Sequence, residues 1–88
     1  MQISIELSLY PLAETQYKSE IWAFIKRLRK VEGLNVVTNG MSTQVFGDYD
    51  LAVTHVMAEI KHVHNTVGAA VFVCKFIGGH HAQPEPES

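Results

Sequence analysis

Cysteine occurs once, as Cys74, which excludes an intramolecular disulfide framework and any CxxC metal or redox motif. A lone thiol suits a reducing compartment. Long apolar runs are also missing. The longest, Ala69 to Cys74, is far short of the ~20 residues that a membrane helix needs. The opening stretch Met-Gln-Ile-Ser-Ile-Glu has neither a basic region nor a long apolar one, so no signal peptide is expected. These absences together predict a cytoplasmic protein with no membrane partner. A basic excess is lacking as well: the formal charge is -2, whereas phosphate binding calls for a basic stripe. Lys26, Arg27, Arg29 and Lys30 are interleaved with apolar residues on one expected helix, so nucleic acid is not an expected partner. What is present is apolar matter, 47% hydrophobic residues against 18% charged, enough for a packed interior. A chain of 88 residues has room for one core and buries about 60 to 65% of its unfolded surface.

From Gln2 to Tyr10 the residues alternate, with Ile3, Ile5, Leu7 and Leu9 on one face and Ser4, Glu6, Ser8 and Tyr10 on the other, as in a strand. Pro11 ends it. Thr15 is placed to cap a helix whose apolar residues Tyr17, Ile21, Phe24, Ile25, Leu28 and Val31 recur at helical spacing, closed by Gly33. Leu34 to Phe46 reads as a hairpin about Asn39-Gly40, the dipeptide that favours a two-residue type I′ turn. That turn pairs Thr38 with Met41, Val37 with Ser42, Val36 with Thr43 and Asn35 with Gln44. Asp48 or Asp50 is then placed to cap a second helix with the stripe Val53, Val56, Met57, Ile60, Val63 and Val67, ended by Gly68. The last strand, Ala69 to Ile77, is apolar on both faces and reads as buried on both sides. Residues 1–79 are expected to form the domain. The tail 80–88, without apolar period, is expected to be disordered.

Strand, helix, hairpin, helix, strand is the order of the ferredoxin-like βαββαβ sandwich, an α+β fold with a four-stranded antiparallel sheet and two helices on one face. The other face has no helix to cover it. Phe72 and Cys74, or their alternates, would share it with Ser4, Glu6, Ser8, Ser42 and Gln44. Apolar groups on a bare face mark an interface, so self-association as a dimer or tetramer is expected.

Residues able to carry chemistry are few. His55, Glu59 and His62 share a helix face at a spacing that permits a zinc or nickel site. No cysteine cluster or fourth ligand at fixed spacing accompanies them, so no metal site is expected, and His80 and His81 read as exposed. Cys74, in an apolar strand, has the setting of an inert thiol. No Ser or Thr stands beside a His, Asp or Lys in a nucleophile motif. Catalytic residues and cofactors are therefore not expected, and the chain reads as a non-enzyme. Glu6 is the one acid within its alternating strand, either a solvated or interface-paired carboxylate or an acceptor for a ligand. Thr38-Asn39-Gly40-Met41-Ser42-Thr43-Gln44 carries five hydrogen-bonding side chains in seven residues. Turn chemistry accounts for Asn-Gly, but the polar row beyond it suits a small heterocyclic ligand.

That hairpin, through Val45-Phe46-Gly47-Asp48-Tyr49-Asp50, together with Ile3-Ser4-Ile5-Glu6-Leu7-Ser8-Leu9-Tyr10-Pro11-Leu12, resembles the thiamine-binding, YkoF-like superfamily of small ferredoxin-like domains. The resemblance runs over nearly the whole chain up to the tail. It implies a non-enzymatic, sheet-assembled domain that binds thiamine or its hydroxymethylpyrimidine part. The implied ligand-binding positions are Glu6, Ser8, Thr38, Asn39, Met41, Ser42 and Thr43. An aminopyrimidine offers ring-nitrogen acceptors and an amine donor that Ser, Thr, Asn and Glu satisfy. Phe46, Tyr10 and Trp22 are the aromatic residues available to stack on it, and Glu6 and Asp48 the acids available to a thiazolium cation. The alternative is a regulatory or structural assembly module with no small-molecule ligand, since fold alone does not separate the two. Three other activities of the fold lack their marks: an arginine and glycine-rich phosphate cradle, an aromatic RNA-binding sheet, and a CxxC metal loop.

Overall fold

The computed structural model describes residues 1–12 and 17–83, without the side chains of Pro11 and Tyr17. Six elements follow one another: β1 (Gln2–Pro11), α1 (Tyr17–Arg29), β2 (Asn35–Thr38), β3 (Thr43–Asp48), α2 (Tyr49–Thr66) and β4 (Ala70–Gly78). The strands form one antiparallel sheet in the order β2-β3-β1-β4, the expected ferredoxin-like α+β arrangement. No helix among the described residues is long and apolar enough to cross a membrane.

Alternation in β1 sends Ile3, Ile5 and Leu7 into the core, where they meet Phe24, Ile25 and Leu28 of α1, Val45 of β3, and Ala52, Val56, Ile60 and Val63 of α2. The expected stripes hold with two adjustments. Met57 is exposed and Ala52 takes its place in the buried row, because four-residue steps from Ala52 through Val56 to Ile60 track the sheet. Val31 lies past the end of α1, in a turn where its N–H donates to the Leu28 carbonyl at 3.1 Å. Gly33 and Gly68 have φ of +94° and +90°, the left-handed geometry that closes a helix. Asp48 caps α2, its carboxylate accepting from the Leu51 N–H at 3.2 Å, while Asp50 sits inside the first turn. Thr15, the expected cap of α1, lies outside the described residues.

The hairpin departs from the two-residue turn. Val36 pairs with Val45 and Thr38 with Thr43, leaving a loop of four residues, Asn39 to Ser42. Asn39 Oδ1 accepts from the N–H groups of Met41 (2.8 Å) and Ser42 (3.2 Å), and the Asn39 N–H donates to the Ser42 carbonyl at 3.1 Å. This side-chain turn replaces type I′, and Gly40 has no positive φ. Across it the Thr38 and Thr43 hydroxyls meet at 2.8 Å, a contact that the shorter loop would break. The slip is by two residues, so every side chain keeps its expected face.

β4 is an edge strand, and its two rows differ. Phe72 and Cys74 pack toward the helices, and the Phe72 ring meets Phe24 at a tilt and His64 edge-on. The alternates Val71, Val73 and Ile77, opposite Tyr10, Ser8 and Ser4, lie on the helixless face and remain about half exposed. The strand expected to be buried on both sides is therefore covered on one. His80 and His81 of the expected tail return onto the helixless face, and 84–88 lie outside the described residues.

Candidate functional site

Where the end of β1, the hairpin loop and α1 converge, they leave an open cleft of about 170 Å³. Its walls are Leu7 to Tyr10 of β1, Ile21, Phe24 and Ile25 of α1, and Thr38 to Thr43. The cause is local. The loop extends past the last β2–β3 pair, three of its four residues are small or polar, and Met41 is turned largely to solvent, so the described loop residues leave space beside α1. One wall is hydrocarbon and the other carries hydroxyls and an amide, the mixture usual in ligand pockets.

Six of the seven positions singled out in the sequence line this cleft: Ser8, Thr38, Asn39, Met41, Ser42 and Thr43. Glu6 does not. Its carboxylate lies on the helixless face, accepting from Ser42 Oγ at 3.0 Å and pairing with Lys75 Nζ at 3.5 Å. A larger hollow on that face, about 290 Å³, joins Glu6 to Ser8, Met41, Ser42, Val73 and Lys75. Ser8, Met41 and Ser42 thus border both spaces, while Thr38 and Thr43 belong to the helix side alone. Strand alternation already implied this split, for it put Thr43 and Ser42 on opposite faces.

Much of the hydrogen-bonding capacity is used internally. Asn39 spends its carbonyl on the turn, and Ser42 donates to Glu6. Two hydroxyls sharing one bond, Thr38 and Thr43, leave one O–H unused at the cleft wall. The Asn39 amide NH₂ and the Ser8 hydroxyl have no partner among the described residues. The cleft therefore offers the Asn39 amide N–H groups and one threonine O–H, with Ser8 bordering it from the helixless face. No carboxylate is among its described lining residues. Of the aromatic candidates Tyr10 lines it. Phe46 is on the other face beneath His80, and Trp22 is half exposed on α1. Phe24, beneath the cleft floor, is 1% exposed and remains the core residue that the sequence presented.

The remaining candidates are dispersed. Burial raises the Cys74 thiol pKa above its ordinary value, as the apolar strand suggested. Asp48 is engaged in the α2 cap. Glu59 pairs with Arg27 of α1, and His62 Nε2 lies 3.4 Å from Thr66 Oγ1. No three His, Cys, Asp or Glu side chains among the described residues are placed to hold a metal ion.

No family model matches the chain, and no curated protein sequence is similar to it. Solved structures are similar. A hypothetical protein, MJ1052, from Methanocaldococcus jannascii shares 24% identity at a TM-score of 0.76, over 93% of this chain and 84% of that one. Protein SP2199 from Streptococcus pneumoniae shares 20% at 0.81, over 91% and 89%. A Thermotoga maritima protein described as a "putative thiamine biosynthesis/salvage protein" (TM0486) shares 13% at 0.74, over 86% and 82%. At these identities the likeness is one of fold.

Proposed function

We propose that the chain is a non-enzymatic binding domain for a small heterocycle of the aminopyrimidine type, thiamine or its hydroxymethylpyrimidine part, and that it works as a homo-oligomer. The observation that carries the ligand reading is the convergence of Ser8, Thr38, Asn39 and Thr43 on one cleft beside α1. Their unused donors suit ring nitrogens, their hydroxyl oxygens suit an exocyclic amine, and the exposed Tyr10 borders the cleft as aromatic surface. The volume, about 170 Å³, is below the ~300–1,000 Å³ of pockets for larger ligands, so the pyrimidine ring is the part enclosed and a thiazolium would lie outside. The description of the Thermotoga protein supports the same ligand class.

Self-association is supported by the half-exposed Val71, Val73 and Ile77 on a long edge strand. Such a strand, uncovered, invites pairing. This observation also favours the second reading, an assembly module in which the polar hairpin is a contact and no ligand binds.

Thermal unfolding with and without each compound separates the two. A ligand at 100 times its Kd adds about 2.7 kcal/mol, which in a domain of this size raises Tm on the order of 10–20 °C. Hydroxymethylpyrimidine is expected to produce the rise as well as thiamine does. No rise with either compound at millimolar concentration removes the ligand reading and leaves the assembly module.

A further inference from the structure

The helixless face is not bare along its whole length. At its Ser4 end the chain leaves β4, and Gly79, at φ +100°, turns it back over the sheet. The Gly79 N–H donates to the Gln2 carbonyl at 2.9 Å. Ser4 Oγ donates to the Gly79 carbonyl at 2.8 Å and accepts the His81 N–H at 2.9 Å. His81 Nε2 faces the Gly78 carbonyl at 3.0 Å, so this nitrogen carries the ring proton. The His80 ring lies over Phe46, with centroids 5.4 Å apart. Beneath these residues Phe46, on a face that no helix covers, is only 4% exposed, whereas Val73 toward the other end of the same face is 52% exposed.

We propose that residues 79–83 are a strap that withholds the Phe46 end of the helixless face from a second copy of this chain, so that copies meet through the Val71 and Val73 end and the β4 edge. This rests on the self-association reading above. The face suits a second copy better than a charged partner. Its apolar groups Val37, Val71, Val73 and Ile77 stand in alternate strand positions, and Glu6 and Lys75 in its middle pair with each other. Two such faces present the same near-neutral apolar surface across a two-fold axis without repulsion. With the strap in place Phe46 is already covered, and a full face-to-face contact is blocked by the chain itself. Removing the strap exposes Phe46 beside Ile77 and extends the apolar surface across the sheet.

Light scattering at one micromolar concentration, on the full chain and on a variant ending at Gly79, tests this. The shortened variant is expected to have at least twice the mass of the full chain. An unchanged mass, with circular dichroism showing it folded, overturns the strap. If the shortened variant does not fold, Ser4→Ala in the full chain removes both hydroxyl contacts and keeps every tail residue. It is expected to show the same gain in mass over a concentration series, and no gain overturns the strap. The mass of the unaltered chain tests the self-association reading separately: a monomer that doubles on truncation supports the strap and removes that reading for the intact protein.

Discussion

Ser8 and Glu6 share the helixless face of one strand, and Ser8, nearer the hairpin loop, also borders the cleft. The Ser8 hydroxyl is unpartnered among the described residues, while Glu6 is engaged by Ser42 and Lys75. If the ligand occupies the cleft, Ser8→Ala removes one neutral hydrogen bond, about 0.5–1.5 kcal/mol, or roughly 2- to 13-fold in Kd. Glu6→Gln is expected to leave Kd unchanged. Titration calorimetry with hydroxymethylpyrimidine reads both, and the reverse order would move the ligand to the hollow beside Lys75. Cys74 carries a second prediction at this scale. Desolvation raises its thiol pKa, so the folded state holds the proton more firmly than the unfolded chain does. The resulting stability is fully present below the unfolded thiol's pKa and is lost as pH rises through the higher folded value. Alkylation by iodoacetamide at pH 8 is therefore expected to be slower in the folded protein than in the urea-unfolded chain, since the thiolate is the reactive form. Equal rates would contradict this assignment.

Elements are held in place by close approach at their ends as much as by their stripes. Gly47, in the buried part of β3 opposite Ile3, is packed under the loop that follows α1. A Cβ there would stand 2.7 Å from Leu34 Cδ2 and 2.9 Å from the Gly33 carbonyl oxygen. The leucine has room to turn, but the carbonyl is backbone, and Gly33 is itself fixed at positive φ. A glycine inside a strand commonly marks such an approach. Gly47→Ala is accordingly expected to cost about 1–3 kcal/mol, lowering Tm by at least several degrees. Gly40→Ala meets nothing within 4 Å and serves as the control, with Tm expected to stay within a degree or two. The comparison also separates the two glycines by role, one a packing position and the other merely a loop residue, although the sequence drew attention to the second.

For the whole molecule, the two rows of β4 make opposite predictions. Phe72 packs on Phe24 and the core, so a charge there is buried without a partner and Phe72→Lys is expected to unfold the chain. Val73 is on the helixless face, half exposed. Val73→Lys is expected to leave circular dichroism and Tm nearly unchanged while reducing the mass seen by light scattering to that of one 9.8 kDa chain. Dissociation by neither variant, with both still folded, would place the interface away from β4.

The order of elements, the faces of β1, β2 and β3, the cap of α2 and the glycines that follow both helices were legible in the residues. Period-two and helical spacing survive any tertiary arrangement that has one core, and Gly33, Gly68 and Asp48 act within their own turns. Six of the seven hairpin and strand positions reached one cleft for the same reason, being neighbours in chain or register. Three things depended on tertiary structure. The hairpin loop took four residues because the Asn39 carbonyl capped it and Thr38 met Thr43 across the strands, a competition between two turns that the Asn-Gly pair alone does not resolve. The Glu6 carboxylate found its partners Ser42 and Lys75 because the hairpin loop and β4 flank β1, neighbours that alternation alone does not supply. Phe46 and Ser4 were covered because a glycine turn brought His80 and His81 back onto the sheet, and a segment without apolar period carries no local signal of the surface on which it comes to rest.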